Sequence, residues 1–359
     1  MNKLNLRLVN NVETNIHILD GLINDFKSII PDYSQFIIIT DENIYNHYGQ
    51  LLINQFHNTN YKIITCPPGE QIKSLNYVEN IYSDLINFKC DRQSCIVAFG
   101  GGAIGDMSGF VASTFMRGID YINIPTTLLS MIDSSIGGKS GVNLTAGKNL
   151  IGSIYHPKQI IIDPKILETL PIREYHSGMA EMIKYGLILS KELFDTLEKH
   201  LESILSDLSA PINDLIIKCI DLKINIVNQD VRDYGIRNIL NFGHTIGHAL
   251  EACLGNEYIR HGEAVAYGML YAAKLSNVKG ILSSSDLKRV SKLIGKLELP
   301  KLKNMDIDRI LSFIKNDKKN ISQDLKFILL DSIGKAYVSQ QIKYDDIKMV
   351  LEENEYISN

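Results

Sequence analysis

The chain has 359 residues, 45% of them hydrophobic and 22% charged, with a formal net charge of −4. That supplies a large core, more naturally two domains than one, and acids and bases are mixed along the chain instead of gathered in runs, which argues against nucleic acid or an anionic membrane as partner. No stretch approaches the roughly eighteen apolar residues that a bilayer span needs, and five cysteines with no close pair argue against a disulfide framework or a structural zinc knot.

Residues 1–20 alternate apolar and polar positions (Leu4, Leu6, Leu8; Ile16, Ile18) and lack the basic-then-apolar layout of an export signal, so reduced thiols in a cytoplasmic protein are expected. Short apolar runs bounded by turn residues follow at 36–39, 61–65, 95–99, 121–124 and 160–162, with helical periodicity between them, as at 75–88. Strands alternating with helices predict a Rossmann-like α/β domain with a mainly parallel sheet covered on both faces. Beyond Asp163-Pro164 the pattern turns helical, at 174–200, 212–228, 239–254 and 263–278, with a hairpin of 326–330 and 335–338 inserted late. The reading is an α/β domain over 1–160 and a mostly α-helical domain over 161–359, with the boundary near 155–165. Junctions of this kind favour ligands because a cleft gives concavity and can close.

After the run at 95–99 come Gly100-Gly101-Gly102-Ala103-Ile104-Gly105-Asp106 and the start of a helix. Gly100, Gly102 and Gly105 match G-x-G-x-x-G in strand-loop-helix context, where glycines let backbone amides approach a pyrophosphate and the helix N-terminus adds positive charge. A tight turn without ligand fits the same residues. The loop follows the third apolar run, not the first, so Asp120 downstream is a poor candidate for the acid that reads a ribose. Asp41, just past the run at 36–39, stands where open α/β sheets bind ligands, or else caps a helix. From Pro125-Thr126-Thr127 through 133–143 to 147–152 the chain carries glycines, hydroxyls and isolated lysines, with Met116-Arg117-Gly118 just upstream. Such a set suits phosphate; a solvated polar loop is the plainer alternative.

A third of the nine histidines lie in Gly243-His244-Thr245-Ile246-Gly247-His248 and His261-Gly262-Glu263. On a helix His244 and His248 share one face, and His261 returns from the next element. The pattern suggests a metal site, with buried histidines bonded to backbone carbonyls as the alternative. Glu181 and Lys184, three apart on an otherwise apolar helix, read as a structural ion pair, yet Glu181 is also the best-placed acid for a third ligand, since zinc with open positions commonly takes two histidines and a carboxylate. A metalloprotease is disfavoured, because no glutamate follows His244 as HExxH chemistry requires.

Together the segments 100–106, 125–130, 133–139, 147–152, 180–186, 240–249 and 261–266 resemble the 3-dehydroquinate synthase family, within the sugar phosphate cyclases, over roughly residues 41–334 and in the family's order. The resemblance implies conversion of 3-deoxy-D-arabino-heptulosonate 7-phosphate to 3-dehydroquinate and phosphate, with NAD and a divalent ion, Zn2+ or alternatively Co2+, and homodimers are frequent among relatives. By resemblance the metal ligands are Glu181, His244 and His261, with His248 on substrate; spacing alone would have paired His244 with His248. The positions carried over for NAD are Asp41, Asn43, Glu70, Lys73, Gly102, Ala103, Ile104, Gly105, Asp106, Thr126, Thr127, Lys139, Lys148, Thr169 and Leu170. For substrate and catalysis they are Arg117, Asp133, Lys139, Asn149, Lys184, Lys223, Arg237, Asn241 and His248, with Lys318 less securely. Asp230-Val231-Arg232-Asp233 departs from the acidic run often found before Gly235. Rival readings are an inosose-forming cyclase, a metal-dependent polyol dehydrogenase, or an inactive protein that senses NAD or a sugar phosphate. The many phosphate-compatible cations favour a cyclase over a dehydrogenase.

Overall fold

The computed structural model describes residues 2–7, 13–145, 147–209, 211–255, 257–302, 305–319 and 325–353. In chain order the elements are β1 (Asn2–Arg7), β2 (Glu13–Ile18), β3 (Phe36–Asp41), α1 (Glu42–Phe56), β4 (Tyr61–Cys66), α2 (Leu75–Asn87), β5 (Cys95–Gly100), α3 (Gly102–Thr114), β6 (Asp120–Pro125), β7 (Lys139–Leu144), β8 (Gly147–Ile154) and β9 (Gln159–Ile162). Then come α4 (Ile172–Leu189), α5 (Lys191–Ser206), α6 (Asn213–Gln229), α7 (His244–Leu254), α8 (His261–Val278), α9 (Ser284–Ile294), α10 (Ile307–Lys319), β10 (Phe327–Ser332), β11 (Lys335–Ser339) and α11 (Tyr344–Glu352).

Contacts group these into two units. The first comprises Met1–Leu170 and Pro211–Arg232, the second Pro171–Ala210 and Asp233–Asn359. The sequence reading placed one cut at 160/161. The contacts divide the chain at 170/171, and α6 returns to the first unit, where its buried Lys223 donates from Nζ to both the side chain and the backbone carbonyl of Asp133.

The first unit holds a seven-stranded sheet in the order β1-β2-β9-β6-β5-β3-β4, parallel except for the β1–β2 pair. Every residue of β5 is buried, as a continuous apolar run in a doubly covered parallel strand should be. All five expected runs became strands. β3 leads outward to β4, whereas β5 leads the other way to β6, so the order reverses between β3 and β5. Ligands of open α/β sheets bind outside the carboxyl ends at such a reversal, and there lie Asp41 and the glycine loop.

The hairpin β7–β8 was not expected from the sequence. Its strands lack an apolar alternation, and Gly141 faces Gly152 across the pair. A Cβ on Gly152 would stand 2.2 Å from the Ser140 carbonyl oxygen, so the glycines serve backbone approach.

The second unit is mostly helical, as expected, with the β10–β11 hairpin in place. The stretch 174–200, expected as one long helix, proved to be two: Ser190 takes an extended backbone and accepts the Leu193 N–H at 3.2 Å, starting α5 afresh. The stretch 239–254 likewise divides at Gly243, where the backbone turns left-handed (φ 79°) before α7. α4 and α8 are buried almost all round, the pattern of central helices. Among the described residues no helix is long and apolar enough to cross a membrane.

Candidate active site

In the first unit a polar network surrounds the start of α3. Gly101 precedes the helix with no side-chain cap, leaving first-turn amides for an anion. Gly102, Ala103, Ile104, Gly105 and Asp106 form the opening turns. A Cβ on Gly105 would meet the Asn123 amide at 3.1 Å, so this glycine lets the helix lie close to β6. Lys73 is almost fully buried, and its Nζ bonds Asp106 at 2.7 Å and Asn149 Oδ1 at 2.6 Å. Glu70 sits 3.3 Å from Lys148 Nζ and 3.9 Å from Lys73 Nζ. Burial works to raise the Glu70 carboxyl, but Lys148 and Lys73 outweigh it and hold it below its ordinary range. Burial dominates at Asp106 and lifts its pKa against the pull of Lys73.

Asn143 ties this network together, and the sequence reading did not single it out. Its amide donates to Glu70 at 3.2 Å, its Oδ1 accepts the Asn149 N–H at 2.9 Å, and its own N–H bonds the Lys73 carbonyl at 2.7 Å. Asn149 is thereby held with a left-handed backbone (φ 54°). The only signal of Asn143 in the sequence was membership of the polar 133–152 stretch.

Asp41 does cap α1, accepting the Ile44 N–H at 3.1 Å, and burial raises its pKa. Asn43 is exposed one residue into the helix. Thr126 and Thr127 follow β6; the Thr126 hydroxyl is buried with no partner among the described residues, while Thr127 bonds Ser130 Oγ at 2.8 Å. Thr169 Oγ1 shares a hydrogen bond with Tyr48, and Leu170 follows it. Lys139, at the start of β7, is exposed. Arg117 is exposed too, in a left-handed backbone (φ 69°).

In the second unit, helices bring the histidines and Glu181 together through contacts only glycine permits. A Cβ on Gly262 would fall 2.0 Å from the Ser177 carbonyl oxygen, and one on Gly268 would fall 1.9 Å from that of Gly243. The Gly262 N–H also bonds Ser177 Oγ at 2.9 Å. The start of α8 therefore rests on α4, setting His261 beside Glu181, which lies one turn beyond Ser177. Arg173 clamps the same junction, bonding Glu263 at 2.6 and 2.8 Å.

Glu181 is fully buried, and Lys184, itself buried, is ion-paired with it. Glu181 Oε1 lies 3.7 Å from Nε2 of His244 and 3.7 Å from Nε2 of His261, and apart from the Lys184 ion pair neither carboxylate oxygen has a hydrogen-bond partner among the described residues. Donors of a tetrahedral zinc at about 2.1 Å stand about 3.4 Å apart, so this set fits a shared cation. The Nδ1 atoms face away from it: that of His244 is 3.2 Å from the Phe242 carbonyl, and that of His261 is 3.0 Å from Glu251. Burial, then the Lys184 charge, holds His244 well below its ordinary pKa, keeping the ring neutral. His261 is raised, burial being outweighed by Glu251 and Glu181. His248 is exposed, with a ring nitrogen within 4.8 Å of one from each other histidine. Arg237 is buried in the short helical turn Ile236–Asn241 that ends at Asn241. The Lys318 side chain lies outside the described residues.

The fold that carries these residues is shared with solved cyclising enzymes. A solved 2-deoxy-scyllo-inosose synthase, in complex with carbaglucose-6-phosphate, NAD+ and Co2+, superposes with a TM-score of 0.90 at 30% identity over 98% of this chain and 100% of that one. A 2-epi-5-epi-valiolone synthase from Streptomyces hygroscopicus, with NAD+ and Zn2+ bound, gives 0.87 at 26% identity, covering 95% and 96%. Residues 63–177 match the 3-dehydroquinate synthase N-terminal family model and 178–320 the C-terminal one. The 3-dehydroquinate synthase of Rippkaea orientalis is 40% identical over 94% of both chains, and that of Clostridium botulinum 43% identical over 90% of this chain and 93% of its own. The chain belongs to the 3-dehydroquinate synthase family, an enzyme family whose step in the shikimate pathway converts 3-deoxy-D-arabino-heptulosonate 7-phosphate to 3-dehydroquinate and phosphate.

Proposed function

We propose that this chain carries out the family's cyclisation with NAD and a single divalent cation, zinc or cobalt, held by Glu181, His244 and His261. The observation that carries the reading is the 3.7 Å approach of Glu181 Oε1 to both Nε2 atoms, with the opposite ring nitrogens already engaged. When bound, NAD supplies reversible hydride transfer and the cation lowers the pKa of a coordinated alcohol.

The chain's own residues do the rest. Amides at the start of α3, with Thr126, Thr127, Thr169 and Leu170, cradle the dinucleotide, while Asp41 and Asn43 hold its ribose. Glu70, Lys73, Asp106 and Lys148 form the charged floor of that site. Arg117, Lys184 and Arg237 grip the carboxylate and phosphate of the substrate, since fixed cations bind such oxygens strongly. Asn149 and Asn241 hydrogen-bond its hydroxyls. Lys139 Nζ, the Asp133 carboxylate and the His248 ring move protons, with Lys223 orienting Asp133 through their ion pair. We take the working form to be a cytoplasmic homodimer, by likeness to the family; light scattering checks the stoichiometry.

One assay tests the reading. Phosphate release from heptulosonate phosphate should require NAD, cease with chelator, return with Zn2+ or Co2+, and leave no accumulated NADH. Full turnover in metal-free protein would overturn it. Preference for glucose 6-phosphate would instead make the chain an inosose-forming cyclase, the activity named for the neighbour of TM-score 0.90.

A further inference from the structure

Glu251 is buried on α7, and its Oε2 lies 3.0 Å from His261 Nδ1. It stands seven residues beyond His244, two helical turns on, so α7 presents His244, His248 and Glu251 along one face. A carboxylate removed from water is costly unless a donor meets it, and a donor here is the imidazole N–H of His261, a residue on another helix. That bond fixes the hydrogen of His261 on Nδ1 and leaves the Nε2 lone pair toward Glu181. His244 is held differently: its Nδ1 meets the neutral Phe242 carbonyl. One ring is thus oriented by a formal negative charge and the other by a backbone dipole.

We infer that Glu251 is a positioning residue that fixes the ring and tautomer of His261 and thereby sets the affinity of the site for a divalent cation. The inference rests on the proposed ligand set of Glu181, His244 and His261. Carboxylates behind metal-bound histidines orient the ring and raise its basicity, and their loss weakens metal binding about 10–100-fold. Glu251→Gln retains the size and an acceptor oxygen but not the charge.

The test is a chelator-competition titration with Zn2+ on the purified full chain, beside the visible absorption spectrum of the Co2+-loaded protein. The expected result for Glu251→Gln is a Zn2+ Kd raised about 10–100-fold, an altered Co2+ spectrum, NAD affinity unchanged, and turnover recovered at saturating metal. A merely structural role would not confine the defect to the metal. Should Glu251→Gln fold poorly, Glu251→Asp, which keeps the charge, must bind Zn2+ more tightly than Glu251→Ala. Wild-type Zn2+ affinity in Glu251→Gln, while His261→Ala loses the ion, overturns this inference alone. If Glu181→Gln and His261→Ala both keep wild-type affinity, the ligand set itself is wrong.

Discussion

The two polar clusters are built by opposite means. Around α3 the side chains position one another: Lys73, Asn143 and Asn149 form a mesh in which each group has several partners. Around α8 the backbone does the positioning, since Gly262 on Ser177 and Gly268 on Gly243 leave no room for a single carbon. A mesh should fail by degrees and a backbone contact all at once.

The largest expected effect lies in the helical cluster. His244→Ala should lose stoichiometric zinc and, because a cation contributes several kcal/mol to the transition state, about 10³-fold in turnover; metal analysis and phosphate release measure both. Next comes Gly262→Ala, whose new carbon cannot be accommodated without moving α8 from α4. Urea unfolding should show a loss of about 3 kcal/mol or more, with metal binding weakened although no ligand was changed. In the mesh, Asn143→Ala should keep the fold and the metal while raising KM for NAD about tenfold, the worth of one hydrogen bond to a charged group. A collapse of Asn143→Ala as complete as that of Gly262→Ala would break the contrast.

The smallest effect concerns Arg289, which bonds Glu198 at 2.7 and 3.0 Å and Asp195 at 2.7 Å on the surface of the second unit. The Arg289 bonds hold the Glu198 carboxyl below its ordinary value of 4.5, and a bond from Lys191, then that from Arg289, holds the Asp195 carboxyl below 3.8. A depressed acid contributes stability above its unfolded pKa and loses it as pH falls through the folded one. Arg289→Met should therefore cost about 0.5–1 kcal/mol at pH 7, allowing for solvent screening, and the difference from wild type should vanish as the medium is acidified below about pH 4.

Legibility followed the same division. Apolar runs gave β3, β4, β5, β6 and β9 because a buried parallel strand has no polar face to interrupt it. The β7–β8 hairpin escaped because glycine and asparagine carry no strand preference, and its pairing depends on approach across the strands. The break at Ser190 was hidden because residues that favour helix continue on both sides of it, and the cap that makes it is a single hydroxyl. In the site, residue type and clustering exposed the histidines and Glu181, but choosing His261 over His248 as the partner of His244 required likeness to a family. Asn143 and Glu251 went unnoticed because their roles come from partners far away or on another helix; the seven-residue step from His244 to Glu251 was the one available clue.

The return of residues 211–232 to the first unit bears on how the protein is made. A ribosome extrudes all of β1 through β9, then α4 and α5, before Lys223 emerges to meet Asp133. The α/β half therefore reaches completion only after part of the helical half has been synthesised, and no single cut of the chain separates the two halves.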